Sequence, residues 1–128
     1  HGAGHLARAV LEGVAFAERH ALEALQEVVA PINRLCFSGG GSTSELWSQI
    51  MADVTGLPVS VPVSSESTAL GAAIVAAVAV GEFADFRSAV AAMSKTAREH
   101  EPNEADSTAY EAAYQAYLRT LAQMKATA

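Results

Sequence analysis

The sequence is poor in charge, and in positive charge above all. Only 17% of its 128 residues are charged, and 14 acidic residues against eight basic ones leave a formal net charge of −6. The Lys and Arg residues are scattered, so the chain has no basic patch of the kind that binds a nucleic-acid backbone or an anionic membrane. We therefore expect no nucleic acid and no membrane among its partners.

Cysteine is equally scarce, because Cys36 is the only one. An internal disulfide is excluded, and the composition is typical of a protein from the reducing cytoplasm. The apolar surroundings of Cys36 predict a small buried side chain rather than a nucleophile. His1 and His5 are four residues apart, but no carboxylate or cysteine accompanies them, so we expect no metal site in the chain.

Long apolar runs are missing too, which excludes a membrane-spanning segment, and the start of the chain lacks the pattern of a signal peptide. What the sequence has is alanine, 28 residues of it, within a hydrophobic fraction of 51%. This composition provides enough apolar surface for one core and favours helix. The chain is therefore expected to form a single helix-rich domain.

Periodicity predicts a helix and then a strand in the first third of the chain. Apolar residues recur at steps of three and four from His5 to Val29, and Pro31 marks the end of that helix. The apolar segment from Ile32 to Phe37 is short and runs into glycines, which predicts a buried strand.

Helices and strands continue to alternate after the glycines. Thr43 or Ser44 caps a second helix that ends at Gly56, and the β-branched run from Val59 to Val63 predicts a short or edge strand. Three further helices are predicted, over residues 66–80, over 83–93 and, after a charged link at 95–106, over the tyrosine-rich end of the chain.

This order predicts an α/β fold with a parallel sheet and right-handed crossovers. Two strands are fewer than a sheet buried on both faces needs, so we expect the missing strands to precede His1 in a longer protein. The third helix presents a face of Gly and Ala, to which another backbone is expected to approach closely; its residues are Gly71, Ala72, Ala73, Ala76 and Ala77.

Residues 38–44, called the glycine loop below, have the sequence Ser-Gly-Gly-Gly-Ser-Thr-Ser between a strand and a helix. Glycines let a ligand approach the backbone, and the free N–H groups at a helix start favour an anion. The loop therefore predicts a phosphate site at the carboxyl end of a parallel strand. A flexible linker or a tight turn explains the local sequence equally well, and neither a P-loop nor a G-x-G-x-x-G pattern is present.

Three segments in order, residues 5–12, 38–59 and 66–73, resemble the C-terminal part of the FGGY family of carbohydrate kinases, including its xylulokinase-like members. The resemblance implies two ribonuclease-H-like halves of the actin-like ATPase fold. It also implies transfer of the γ-phosphoryl group of ATP, with Mg²⁺, to a sugar hydroxyl. Residues 1–128 would be the C-terminal nucleotide-binding domain, with extra helices at its end, its first strands and the N-terminal domain being absent.

The same resemblance assigns the site. Gly39, Gly40 and Gly41 would donate backbone N–H groups to the ATP phosphates, and Ser42 and Ser44 would line the side of the base or ribose. Ser44 stands where many members carry Asn, whose side chain reaches further. No catalytic residue is assigned within the chain, because the catalytic aspartate and most sugar contacts would lie upstream of His1.

Four other polar or aromatic residues are interpreted as structural. Trp47 fits a core position of the second helix, Asp53 a solvated or capping carboxylate, and Glu12 and Glu66 support packing and loops. The expected function is phosphorylation of a ketopentose such as xylulose, with the sugar bound through the missing domain; another ketose, a polyol, a sugar acid or autoinducer-2 is equally compatible with the chain. The alternative is a non-catalytic helical interaction module. Because open edges and apolar surface need cover, we also expect a homo-oligomer, located in the cytoplasm.

Overall fold

The structure is a computed structural model that describes residues 2–126, and it has the helix-rich α/β architecture that the sequence predicts. Its elements are, in order, α1 (Ala3–Gln26), β1 (Leu35–Cys36), a 3₁₀ turn (Gly40–Thr43), α2 (Glu45–Thr55), β2 (Val59–Pro62), α3 (Ser67–Ala79), α4 (Phe86–Met93), β3 (Thr96–His100) and α5 (Glu104–Ala126). Within this range no helix is long and apolar enough to cross a membrane.

The described strands form one mixed sheet in the order β1-β2-β3. β1 runs parallel to β2, as predicted, whereas β3 is antiparallel to β2. Interpreting 95–106 as a link without a strand was therefore wrong: its polar residues lack apolar alternation, and pairing with β2 makes the segment a strand. β2 is central among the described strands rather than an edge. Its Pro62 lies at a register shift, where a missing N–H is tolerated.

The core lies where α1, α2 and α5 meet. The ring of Phe16 packs against Tyr110, Tyr114 and Tyr117 at centroid distances of 6.1, 5.9 and 5.8 Å. The guanidinium carbon of Arg19 lies 4.0 Å from the centroid of the Tyr114 ring. The tyrosine stripe predicted on the last helix is thus the face that packs it onto the domain.

Two sequence-based expectations about packing are wrong. Cys36 is exposed, because β1 has only two residues and alternate side chains point to opposite faces, so that Leu35 alone packs against the core. The small face of α3 is also open: α3 packs mainly on α4, and in the described part of the chain no atom lies within 4 Å of a Cβ built on Gly71.

Candidate functional site

The glycine loop follows β1 and leads into α2, as the sequence predicts. Gly39 has φ +91° and ψ −173°, a backbone conformation that side-chain-bearing residues avoid. Gly41 is enclosed instead, because a Cβ there would lie 2.7 Å from Cζ3 of Trp47 and 3.1 Å from Cζ of Phe37. The chain's own structure therefore requires glycine at both positions.

Gly40 differs from its two neighbours. It is exposed, its φ is not positive, and a Cβ built on it would meet no atom of the described residues within 4 Å. Neither backbone strain nor packing within the chain calls for glycine here. Open space beside this backbone is what a ligand that approaches the loop closely would need.

The loop also presents unused donors. The backbone N–H groups of Gly39, Gly40 and Gly41 have no acceptor among residues 2–126, while those of Ser42 and Ser44 donate to Gly39 and Gly41. They precede the N-terminus of α2, an 11-residue helix whose dipole favours negative charge at that end. Free N–H groups, open space at Gly40 and a helix N-terminus together fit a phosphate group.

The hydroxyl groups of Ser42 and Ser44 both make hydrogen bonds within the chain. Ser42 is buried, with 2% of its surface exposed, and its Oγ donates to the carbonyl oxygen of Gly39 at 2.7 Å. Ser44 caps α2, because its Oγ accepts from the N–H of Trp47 at 3.3 Å. Ser44 is thus one of the two caps predicted. The assignment of Ser42 and Ser44 to the base or ribose side stays a prediction.

Sequence reasoning missed Arg98, a residue of β3 that contacts the loop. Its Nη2 donates to the carbonyl oxygen of Ser42 at 2.7 Å, and its Nη1 lies 3.3 Å from Oε1 of Glu45 at the start of α2. No local signal marks it, because it stands 56 residues after Ser42 in a segment predicted as a link.

Asp53 is buried, so its interpretation as a solvated carboxylate was wrong. Only 4% of its surface is exposed, and its Oδ1 accepts from Nε2 of Gln49 at 2.9 Å and from the N–H of Asn103 at 2.8 Å. Asn103 directly precedes α5 and caps that helix with its own side chain, which accepts from the N–H of Ala105 at 3.0 Å, so Asp53 holds the capping residue and is not itself the cap. The carboxylate ties α2 to the start of α5, with His100 hydrogen-bonded to the same glutamine.

The structural assignments of Glu12 and Trp47 agree with the geometry, whereas the supporting role of Glu66 stays a prediction. Glu12 accepts from Nε of Arg8 at 2.8 Å and from the hydroxyl of Tyr110 at 2.9 Å, which joins α1 to α5. The hydrogen bond to Tyr110, and then that to Glu12, raise the pKa of Arg8 above its ordinary value. Trp47 is half-buried and packs against the core, as predicted. Glu66 is exposed just before α3.

A largely apolar cavity of about 430 Å³ lies beside the loop, between α1, β1 and α2. Its walls include Val14 and Leu22 of α1, Cys36 and Phe37, and Trp47. It borders β1, whose second edge pairs with no strand among the described residues. The cavity and the open edge lie together where a further strand would pack.

No metal site is apparent between residues 2 and 126, because no three His, Cys, Asp or Glu side chains converge. The pair His1 and His5 is not described, since His1 lies outside that range. In the part of the chain that the structure describes, the glycine loop fits a phosphate group, and no cluster of three such side chains is present that could hold Mg²⁺.

Comparison with known proteins relates the chain to sugar kinases. The model of the FGGY family of carbohydrate kinases, C-terminal domain, matches residues 1–80. An autoinducer-2 kinase of Salmonella paratyphi B is 45% identical over 93 residues, covering 70% of this chain and 18% of that protein. A probable L-xylulose kinase of Pasteurella multocida is 36% identical over 126 residues, covering 98% of this chain and 25% of the relative.

The fold is similar to that of solved kinases as well. The crystal structure of a xylulose kinase from Rhodospirillum rubrum superposes with a TM-score of 0.85 at 34% identity, over 99% of this chain and 26% of the other. The chain thus spans about a quarter or less of the length of these relatives. All three comparisons relate the chain to carbohydrate kinases.

Proposed function

The chain belongs to the FGGY family of carbohydrate kinases, through their C-terminal domain, and from that premise we propose that residues 1–128 are the nucleotide-binding part of an ATP-dependent sugar kinase. One observation carries the proposal: the N–H groups of Gly39, Gly40 and Gly41 have no acceptor among the described residues, and open space borders Gly40 just before the N-terminus of α2. A phosphate group placed beside Gly40 would find free donors and open space.

The chain's own contribution to the reaction is to hold and orient the nucleotide. Bound ATP supplies the phosphoryl group that is transferred. The N–H groups of the glycine loop donate to phosphate oxygens, and the rigid packing of Phe37 against Trp47 keeps the loop in place. Positioning of this kind accounts for a large part of catalysis of phosphoryl transfer. The acceptor site and the catalytic carboxylate belong, in this proposal, to sequence outside the chain.

A ketopentose such as xylulose is the proposed acceptor. The support comes from two relatives, since the Pasteurella multocida protein is named a probable L-xylulose kinase and the Rhodospirillum rubrum protein a xylulose kinase. The 45% identity to an autoinducer-2 kinase makes that molecule the second acceptor to test. A sugar kinase that uses ATP would act in the cytoplasm, where nucleotide and reduced cysteine both occur.

The decisive experiment is a coupled assay of ADP release with the full-length gene product, Mg-ATP and a panel of xylulose, ribulose, glycerol, gluconate and autoinducer-2. We expect ATP-dependent turnover with the highest kcat/KM for xylulose. Residues 1–128 alone, assayed in parallel, are expected to transfer no phosphate, because only one wall of the cleft is present. Turnover by the isolated chain at a rate comparable to the full-length protein would contradict the upstream placement of the catalytic aspartate.

Exposed apolar residues on α1 favour a second candidate function, that of a non-catalytic interaction module. Leu6 and Val10 are 70% and 66% exposed, and β1 has an open edge in the described sheet. In our proposal this surface is covered either by upstream sequence or by a second copy of the chain, and in the second case the protein is a homo-oligomer. The absence of both ADP binding and sugar turnover in the full-length protein would favour the interaction module.

A further inference from the structure

Arg98 forms a hydrogen bond with the glycine loop on the side opposite the loop's free N–H groups. In a helical turn the carbonyl groups point away from the N–H groups. By donating to the carbonyl oxygen of Ser42 at 2.7 Å, Arg98 therefore leaves the N–H end of the turn open. The carbonyl belongs to a residue with only 2% of its surface exposed, so this charge-assisted hydrogen bond forms at a largely dry position.

The sheet brings Arg98 to this place. Arg98 is paired with Val61 near the carboxyl end of β2, and the glycine loop follows the carboxyl end of the parallel strand β1. Antiparallel β3 thus delivers a guanidinium group to the edge of the sheet where the loop lies. Its side chain is 31% exposed, which leaves it partly shielded from solvent screening.

Arg98 also neutralises the acidic residue nearest the loop. Glu45 is the first residue of α2, where a carboxylate competes with a bound anion for the helix N-terminus. The Nη1 atom of Arg98 lies 3.3 Å from its Oε1, and the Glu45 side chain is 77% exposed. An ion pair as exposed as this contributes little to folding stability, and it offsets part of the carboxylate's charge beside the loop.

We propose that Arg98 is a positioning residue for nucleotide phosphates, which fixes the shape of the glycine loop through Ser42 and offsets the charge of Glu45. The inference rests on the proposed function and deepens it. Arg98 lies outside residues 1–80, the part of the chain that the family model matches. Arg98 affects nucleotide binding indirectly, through the glycine loop.

The test measures ADP affinity by calorimetry, and KM and kcat with the acceptor sugar, in the full-length protein. Arg98→Ala is expected to weaken ADP binding and to raise the KM for ATP about tenfold, the usual scale for one charge-assisted contact. The KM for the sugar is expected to stay unchanged. Arg98→Lys, which keeps the charge but makes one of the two contacts, is expected to recover part of the loss.

Arg34→Ala is the matched control. Arg34 forms an exposed ion pair with Glu99 of the same strand as Arg98, at 3.3 Å, and that contact lies away from the loop. The Arg34→Ala protein is expected to bind ADP with the affinity of the wild type. An equal loss of affinity in Arg34→Ala and Arg98→Ala would overturn the inference, because the effect would then come from the sheet rather than from the loop.

The substitution Glu45→Gln distinguishes the effect of the Glu45 charge on ADP binding from the effect of the loop's shape. Added to Arg98→Ala, it is expected to recover about threefold in ADP affinity, since the uncompensated carboxylate is removed. If Arg98→Ala does not fold, Arg98→Gln decides: it keeps an amide donor, loses the charge, and is expected to bind ADP about threefold more weakly. Unchanged ADP affinity in a folded Arg98→Ala or Arg98→Gln protein would overturn this inference and would leave the proposed function intact. A wild-type protein that binds no ADP contradicts the proposed function as well.

Discussion

Gly41 packs directly against the indole ring of Trp47: a Cβ on Gly41 would lie 2.7 Å from Cζ3 of that ring. The ring in turn packs edge-on against Phe37 at a centroid distance of 5.7 Å. Packing against Trp47 therefore requires glycine at position 41, whereas Gly40 borders open space. The consecutive glycines therefore differ in their surroundings, and substitutions can separate their contributions.

Gly40→Val is expected to preserve the fold and to weaken nucleotide binding. The added branches meet nothing in the described structure but intrude where the phosphates would lie, so ADP affinity in the full-length protein should fall at least about tenfold, or about 1.4 kcal/mol. Calorimetric titration with ADP measures the change, and circular dichroism verifies the fold. An unchanged titration would contradict the assignment of the loop.

Gly41→Val is the counterpart, expected to act on stability. Its side chain overlaps Trp47, so the free energy of unfolding should fall by roughly 1–3 kcal/mol, the usual cost of overpacking. Urea unfolding followed by the fluorescence of Trp47, the only tryptophan of residues 1–128, measures this loss. Equal stability of the Gly40→Val and Gly41→Val proteins would show that the ring moves aside without cost.

Asp53→Ala is expected to destabilise the domain by about 1–3 kcal/mol, because it leaves the N–H of Asn103 without its buried acceptor and removes one of the two acceptors of the Gln49 amide. Asp53→Asn keeps one acceptor oxygen and should lose less. Urea denaturation of both variants gives the difference. Glu82→Ala, at an exposed residue, serves as the control and should unfold like the wild type. Stability in Asp53→Ala equal to that control would mean that the buried carboxylate contributes nothing.

Stability is expected to decline at high pH through Tyr114. Burial, together with its hydrogen bond to Glu23, raises the pKa of Tyr114 from 10.0 to about 12. The folded state therefore favours the neutral hydroxyl. Its contribution is fully present below pH 10.0 and is lost as the pH rises through about 12. Thermal unfolding between these values should show the decline, and Tyr114→Phe should make it shallower. The same slope in both proteins would exclude Tyr114 as the source.

Isolated residues 1–128 are expected to self-associate. α1 exposes Leu6 and Val10, and the open edge of β1 borders the cavity lined by Cys36. Light scattering should give a mass above 13.2 kDa that falls toward this value in Leu6→Ser, a change at a residue 70% exposed in the chain. A monodisperse monomer that melts cooperatively would argue against this expectation.

Local signals in the sequence determined the helices and the position of the glycine loop. The apolar spacing of α1, the capping hydroxyl of Ser44 and the left-handed Gly56 that ends α2 are all properties of a few neighbouring residues. The parallel pairing of β1 with β2 also followed from the order of elements. The family resemblance depended on the same contiguous segments, and the match over residues 1–80 agrees with it.

Only the tertiary structure decided what residues distant in sequence do to one another. The polar segment of β3 becomes a strand because β2 offers it a hydrogen-bonding edge, and that pairing brings Arg98 to Ser42. Asp53 is buried because α5 packs over it, whereas Cys36 is exposed because β1 is too short to be enclosed in the described sheet. Burial and long-range hydrogen bonds depend on which surfaces meet, and no local pattern of residues encodes that meeting.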